Sequence, residues 1–296
     1  FSTHSMSQFY LTALQLALCL SPMAMGIFIT MKVFNIPDIT TDGSYTLGAS
    51  LTAVLLTHHW PALATLPVCM LAGSLAGVCT GLIHTKLRID ALLAGILVMT
   101  GLYSVNLIVM GRSNIPLINI PVLFSYFSFF TDDVYNQLVV SLLLVILLIF
   151  LLNYLLRTDF GIAMRATGNN PFMTKALGIN NDSTKIVGLA IANAFTGLSG
   201  YLVSQYQGFA DISMGIGIVI TGLGSVLIAD ALRKWLSPGG IGTQIILVVA
   251  GSFLFQLALA FTLAVGIDPN LLKLVTAIFV LLIVALPAAS KQLVRN

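Results

Sequence analysis

Long stretches without a single charge recur along this chain. No Asp, Glu, Lys or Arg occurs in residues 1–31, 43–85, 91–111, 134–156, 186–210, 212–229, 235–267 or 274–290. A helix that crosses a bilayer needs roughly 20 apolar residues. A charge at its centre costs about 2.5–3.5 kcal/mol even on the mild insertion scale. The windows therefore predict about nine spans, at 7–33, 44–58, 61–85, 91–110, 135–156, 183–205, 213–229, 241–263 and 271–286. The window 43–85 holds two of them, broken at Trp60-Pro61, and 44–58 is short for a full crossing. The expected fold is an all-α integral membrane protein, one polytopic bundle over residues 1–296.

Two segments break this pattern. Residues 113–134 carry Asn114, Pro116, Asn119 and Pro121, then Phe124, Tyr126, Phe127, Phe129 and Phe130. Prolines at that spacing interrupt a helix and aromatic side chains suit the membrane–water boundary, so this segment reads as an external interfacial hairpin. Residues 35–44 are the second. There Asp38 and Asp42 flank Thr40 and Thr41, ahead of Gly43 and Ser44. These residues are either caps of a helix N-terminus or an irregular half-helix junction lining a solute path. The second reading follows because non-helical backbone at membrane depth survives only inside protein or beside water.

Composition agrees with lipid as the main solvent. Hydrophobic residues make up 58% and charged residues 8%, against about 25% charged in an ordinary soluble domain. The chain contains no Glu. The first apolar stretch is too long, and lacks the basic leader, to read as a cleaved signal. If the loop 157–185 is cytoplasmic, alternation places eleven basic residues inside and only Arg112 and Lys273 outside. That is the positive-inside asymmetry. It predicts an external N-terminus and a cytoplasmic C-terminus. The net charge of +3 is thereby explained by the bilayer, without a nucleic-acid partner.

Glycines at 73, 77 and 81 form a small-residue stripe on the third span, and Gly215, Gly217, Gly222 and Gly224 crowd the seventh. Both read first as close-packing surfaces. Cys19, Cys69 and Cys79 lie inside spans without ligand spacing and read as small apolar residues. The pair His58-His59 cannot readily supply a zinc shell, so no metal site is expected. There is no G-x-x-x-x-G-K-[ST] loop, HExxH, CxxC or catalytic-triad pattern, so no catalytic residues are expected and the chain binds no ATP by that route.

The loop 157–185 carries the most specific local signal. Asn170 can cap a helix, Pro171 fits its first position, and Gly178 fits a left-handed stop, with Asp182 capping the next span. The helix predicted over 171–177 is about two turns long and is not stable alone in water. Phe172 with Ala176, and Met173 with Leu177, form its apolar face. That face either lies on the bilayer interface or docks on a cytosolic motor.

The spacing of Arg157, Thr158, Gly161, Ala166, Gly168, Asn169, Gly178, Ile179 and Asn180 resembles the coupling loop of ATP-binding-cassette importer permeases of the branched-chain amino acid and ribose type. The stretch Asp38-Ile-Thr-Thr-Asp-Gly-Ser-Tyr-Thr-Leu-Gly-Ala49 resembles the element that opens that family's broken helix. The resemblance implies a permease subunit in a bacterial plasma membrane, paired with a second permease copy. It also implies two cytosolic ATPase subunits, which hold the ATP and Mg²⁺, and an external solute-binding protein. Asn170, Pro171, Phe172, Met173, Ala176, Leu177 and Gly178 would then form the coupling helix. The segment 230–240 is less glycine-rich than usual in the family, which argues against a sugar. The version at 38–49 looks closest to a branch linked with amino acids, including aromatic ones. The competing expectation is an ion- or proton-coupled secondary transporter using Asp38 and Asp42.

Overall fold

A computed structural model describes residues 3–127, 132–236, 239–266, 268 and 271–293. Among the described residues, twelve α-helices carry the architecture. They are α1 (Thr3–Phe28), continued by a π-helical turn at Ile29–Val33, α2 (Thr40–Thr57), α3 (Ala62–Lys86), α4 (Ala91–Met110), α5 (Leu123–Tyr126), α6 (Asp133–Arg157), α7 (Asp159–Asn169), α8 (Pro171–Ala176), α9 (Asn181–Gln207), α10 (Ile218–Leu236), α11 (Ile241–Ala264) and α12 (Leu272–Leu293).

Among the described residues, six helical stretches are long and apolar enough to cross a membrane. They are Tyr10–Val33, Ala62–Lys86, Ala91–Met110, Asp133–Arg157, Asn181–Gln207 and Ile241–Ala264. The expected count of about nine is not reached by this measure. The helix α2 opens on Thr40, Thr41, Asp42, Gly43 and Ser44. The helix α10 carries Asp230, Arg233 and Lys234 near its end. In α12 the apolar run Leu272–Ile283 is shorter than a full crossing.

Buried α1 and α9 form the centre and pack antiparallel. Gly26 of α1 faces the Ala192 backbone, while Ser199 Oγ donates to Cys19 O at 2.7 Å. The glycine stripe of α3 packs on α9, as the sequence predicts. A Cβ at Gly73, Gly77 or Gly81 would lie 2.3, 2.2 or 2.8 Å from the backbone of Asn193, Leu189 or Ile186. No side chain larger than hydrogen permits that approach.

The two ends of the chain repeat one packing pattern. The helix α3 packs on α9 as α11 packs on α1. Likewise α2 lies along α9 and against α3 and α4, as α10 lies along α1 and against α11 and α12. The directions are reversed. Ser44 and Gly48 meet Asn193 and Gly197 in turn, so α2 runs with α9. Gly222 meets Met23 and Ile27, and Asp230 pairs with Lys32, so α10 runs with α1. Residues of α1–α4 and α9–α12 thus form an inverted-topology repeat, an arrangement that places substrate sites at the repeat interface in many transporters.

The segment after α4 departs from the interfacial-hairpin expectation. Asn114–Pro116 (β1) pairs antiparallel with Phe209–Asp211 (β2), the strand that follows α9. Phe124 is buried, while Tyr126 and Phe127 are exposed. Phe129 and Phe130 lie outside the described residues.

Candidate functional site

Two helices, α2 and α10, begin inside the bundle with their N-terminal turns facing each other. After α1 the chain turns at Asn35, which has φ 55°, and passes through a non-helical stretch to Ile39, whose backbone is already right-handed, before α2 starts at Thr40. The expected span start at residue 44 was four residues late, because a Thr-Thr-Asp-Gly-Ser opening carries no apolar signal. Asn193, opposite Ser44, lies about 18 Å along α9 from its first residue at 1.5 Å per residue. None of residues 35–44 is among the walls of the large cavity described below. The stretch is a junction within the bundle, and its acids serve as caps.

Asp38 is buried; its Oδ1 accepts from Thr40 N at 2.9 Å and its Oδ2 from Asn193 Nδ2 at 2.8 Å. Ser44 Oγ donates to Asn193 Oδ1 at 2.7 Å. Thr40 Oγ1 shares a 2.7 Å hydrogen bond with Thr80 Oγ1 of α3, and Thr41 Oγ1 donates to Asp38 O at 3.3 Å. Asn106 of α4 donates to Gly43 O at 3.3 Å.

Asp42 does something the sequence reading does not anticipate. Its carboxylate reaches from α2 to the start of α10, where Oδ2 accepts from Gly217 N at 2.8 Å and Oδ1 from Val219 N at 2.9 Å. One acid therefore satisfies orphan N–H groups of the opposing half-helix and faces its positive dipole end. The predicted seventh span at 213–229 is corrected accordingly. Residues 213–217 form turns, with Gly217 at φ 80°, and the helix runs Ile218–Leu236.

A cavity of about 720 Å³ opens between the two repeats on the β2 side of this junction. Leu16 and Leu20 of α1, Tyr45 of α2, Ile218 of α10, Gln256 of α11 and Lys273 of α12 are among its walls. Its volume lies within the range of small-molecule sites.

The loop 157–185 is the second candidate region. It holds two helices where one was expected. Thr158 caps α7 by accepting from Gly161 N at 3.3 Å. Gly168 of α7 lies against the Val33 carbonyl and Asn35 Nδ2 donates to Gly168 O at 3.2 Å, bracing α7 on the end of α1. Asn170 caps α8 by accepting from Phe172 N and Met173 N at 3.1 Å each. Gly178 adopts φ 84°, the left-handed stop expected of it. The helix itself ends at Ala176, with Leu177 as its C-cap. Asp182 is not the cap of the next helix. Asn180 is, accepting from Ser183 N at 3.2 Å, and Asp182 sits in the first turn of α9.

Asn181, the first residue of α9, clamps the inner face of α8. Its Nδ2 donates to Pro171 O at 2.6 Å and its Oδ1 accepts from Thr174 Oγ1 at 2.8 Å. The outer face points away from the protein, with Phe172 87%, Met173 61% and Leu177 68% exposed beside exposed Pro171 and Ala176. Asn193, Asn181 and Thr174 were missed by the sequence reading. Asn193 had a signal, being the one asparagine in the charge-free window 186–210. Among the described residues, no three His, Cys, Asp or Glu side chains gather as metal ligands.

Inverted repeats around a cavity are an arrangement of solute transporters. Residues 9–286 match the family described as branched-chain amino acid transport system permease component. The chain is 42% identical over 270 residues to the tyrosine transport system permease protein of Clostridioides difficile, covering 91% of this chain and 88% of that protein. It is 29% identical over 281 residues to the probable branched-chain amino acid transport permease protein LivH of Methanocaldococcus jannaschii, covering 88% and 85%. It is 25% identical over 236 residues to the autoinducer 2 import system permease protein LsrC of Escherichia coli, covering 79% and 66%. No solved structure matches it. The chain belongs to the branched-chain amino acid transport permease family. It is a multi-pass membrane translocation subunit of an ATP-binding-cassette importer for small solutes, not an ion-coupled secondary transporter.

Proposed function

We propose that this chain forms the translocation path for an aromatic amino acid, tyrosine or a close analogue. It works as a homodimer with two cytosolic ATPase subunits and an external solute-binding protein. ATP and Mg²⁺ bind on the ATPase chains, and this chain catalyses no reaction itself. Its N-terminus is external and its C-terminus cytoplasmic, in a bacterial inner membrane. About nine segments enter the bilayer, with α2 and α10 as half-helices and α12 as the last.

The observation that carries this reading is the apolar outer face of α8, locked to α9 by Asn181. A six-residue helix with Phe172, Met173 and Leu177 turned outward needs a partner surface. In the proposed mechanism the ATPase dimer closes and carries α8 with it. The Asn181 clamp passes the displacement to α9, which holds Asn193 and through it Asp38 and Ser44. The facing N-termini of α2 and α10 then shift, and access alternates between the two sides. Asp38 and Asp42 serve as fixed acceptors for backbone and amide groups in this cycle. The amino-acid substrate is supported by the 42% identical relative, a tyrosine transport system permease protein.

The test is ATP-driven uptake of labelled tyrosine into proteoliposomes holding the whole complex. Leu177→Asp is expected to abolish uptake while the protein still inserts. Uptake at the unmodified rate would remove the docking role of α8.

A further inference from the structure

The 720 Å³ cavity has unusual walls at its inner end. Tyr45 is 2% exposed and Gln256 is 6% exposed, and both line the cavity. Neither the Tyr45 hydroxyl nor the Gln256 carboxamide has a hydrogen-bond partner among the described residues. Their polar ends are open to the cavity and not sealed in the packing, so what satisfies them is what the cavity holds. Two such groups, from α2 and α11, turned into one cavity between the repeats, are donors and acceptors kept for something that enters it.

The rim has different chemistry. Asp211 of β2 and Lys273 of α12 bring opposite charges to the same cavity. Between rim and floor the walls are apolar, with Leu16, Met214 and Leu259 among them. Gln256 lies about 12 Å below the last residue of α11 at 1.5 Å per residue. The sequence of surfaces is therefore a pair of opposite charges, an apolar sleeve and an uncharged hydrogen-bonding floor.

We infer that this cavity is a binding site for a zwitterionic amino acid whose apolar side chain ends in a hydroxyl, with Asp211 and Lys273 taking its ammonium and carboxylate and Tyr45 and Gln256 taking the hydroxyl. This rests on the amino-acid reading of the substrate and adds where and how the permease itself reads the molecule. A free tyrosine has that order of groups. Phenylalanine would leave Tyr45 and Gln256 unpaired, and sites built to hydrogen-bond a hydroxyl discriminate against the analogue without it.

The test uses the permease–ATPase complex in nanodiscs without the binding protein. Tritiated tyrosine is bound and then displaced by unlabelled tyrosine or phenylalanine. Tyrosine is expected to displace at concentrations about five- to a hundredfold lower, the effect of two neutral hydrogen bonds. Gln256→Leu and Tyr45→Phe each shrink that preference, with elution profile and thermal midpoint unchanged. Lys273→Gln weakens both competitors alike. A complex that accumulates tyrosine in the full ATP-driven assay, yet shows no saturable tyrosine site or keeps its preference in both variants, overturns the cavity assignment alone. A complex that hydrolyses ATP and accumulates a different solute fails at the substrate reading beneath it.

Discussion

Removing the Asp42 carboxylate tests the half-helix junction at its narrowest point. In Asp42→Ala the amides of Gly217 and Val219 lose acceptors at 2.8 and 2.9 Å, and nothing in α2 replaces them. A hydrogen bond to a charged group contributes about 1.5–3 kcal/mol, so the pair contributes about 3–6 kcal/mol. The lower half of that range agrees with the loss of a single N-cap, about 0.5–2 kcal/mol, plus the dipole interaction. Asp42→Asn keeps one carbonyl acceptor and loses the charge, which sets its cost at about 1.5–3 kcal/mol. The assay is SDS-driven unfolding in mixed micelles followed by tryptophan fluorescence. The chain has two tryptophans, Trp60 and Trp235, and Trp235 lies on α10 itself. The expected order is wild type, then Asp42→Asn, then Asp42→Ala. If both variants unfold within about 0.5 kcal/mol of wild type, as surface substitutions do, Asp42 does not hold α10 and the junction is misread.

Other consequences are local. A Cβ at Gly48 would lie 2.0 Å from Gly197 O, so Gly48→Ala pushes α2 off α9 and lowers the unfolding midpoint, whereas Gly101→Ala, with nothing within 4 Å, is neutral or stabilising by about 0.5–1 kcal/mol. Asn170→Ala uncaps α8 at a cost of about 1 kcal/mol, and is expected to reduce ATP-driven uptake without changing the yield of inserted protein. Asp211 is partly desolvated, which alone would raise its pKa, but the hydroxyl and amide of Ser213 and the amide of Asn114 outweigh this and hold it below the ordinary carboxylate value. Its stabilising contribution is therefore full above the ordinary carboxylate range and is lost as pH falls through the lowered folded value. Ser213→Ala moves that loss to higher pH, measurable as the pH at which the protein's unfolding midpoint begins to drop.

What was legible in the sequence follows from the range of each interaction. The span predicted at 91–110 is α4, and 61–85 is α3 to within a residue, because lipid demands long apolar runs and charges end them. The caps of α8 were legible for the same reason, since Asn170, Pro171 and Gly178 act within one turn. The grip of Asp42 on Gly217 and Val219 spans 175 and 177 residues of sequence, and no local pattern encodes it. The start of α10 was misplaced because the glycine-rich turn at 213–217 lies inside a charge-free window. The helix α7 was overlooked although Thr158 is a usable N-cap residue. The pairing of β1 with β2 joins segments on either side of α5–α9, so the segment after α4 read as a hairpin of its own.

Co-purification of the tagged permease with its ATPase in mild detergent tests the central claim most directly, measured as the ratio of the two chains by quantitative mass spectrometry. The account predicts a one-to-one ratio for the wild type and loss of the ATPase from Leu177→Asp. A Leu177→Asp permease that retains its full share of ATPase would contradict it, and the exposed face of α8 would then have to meet something else.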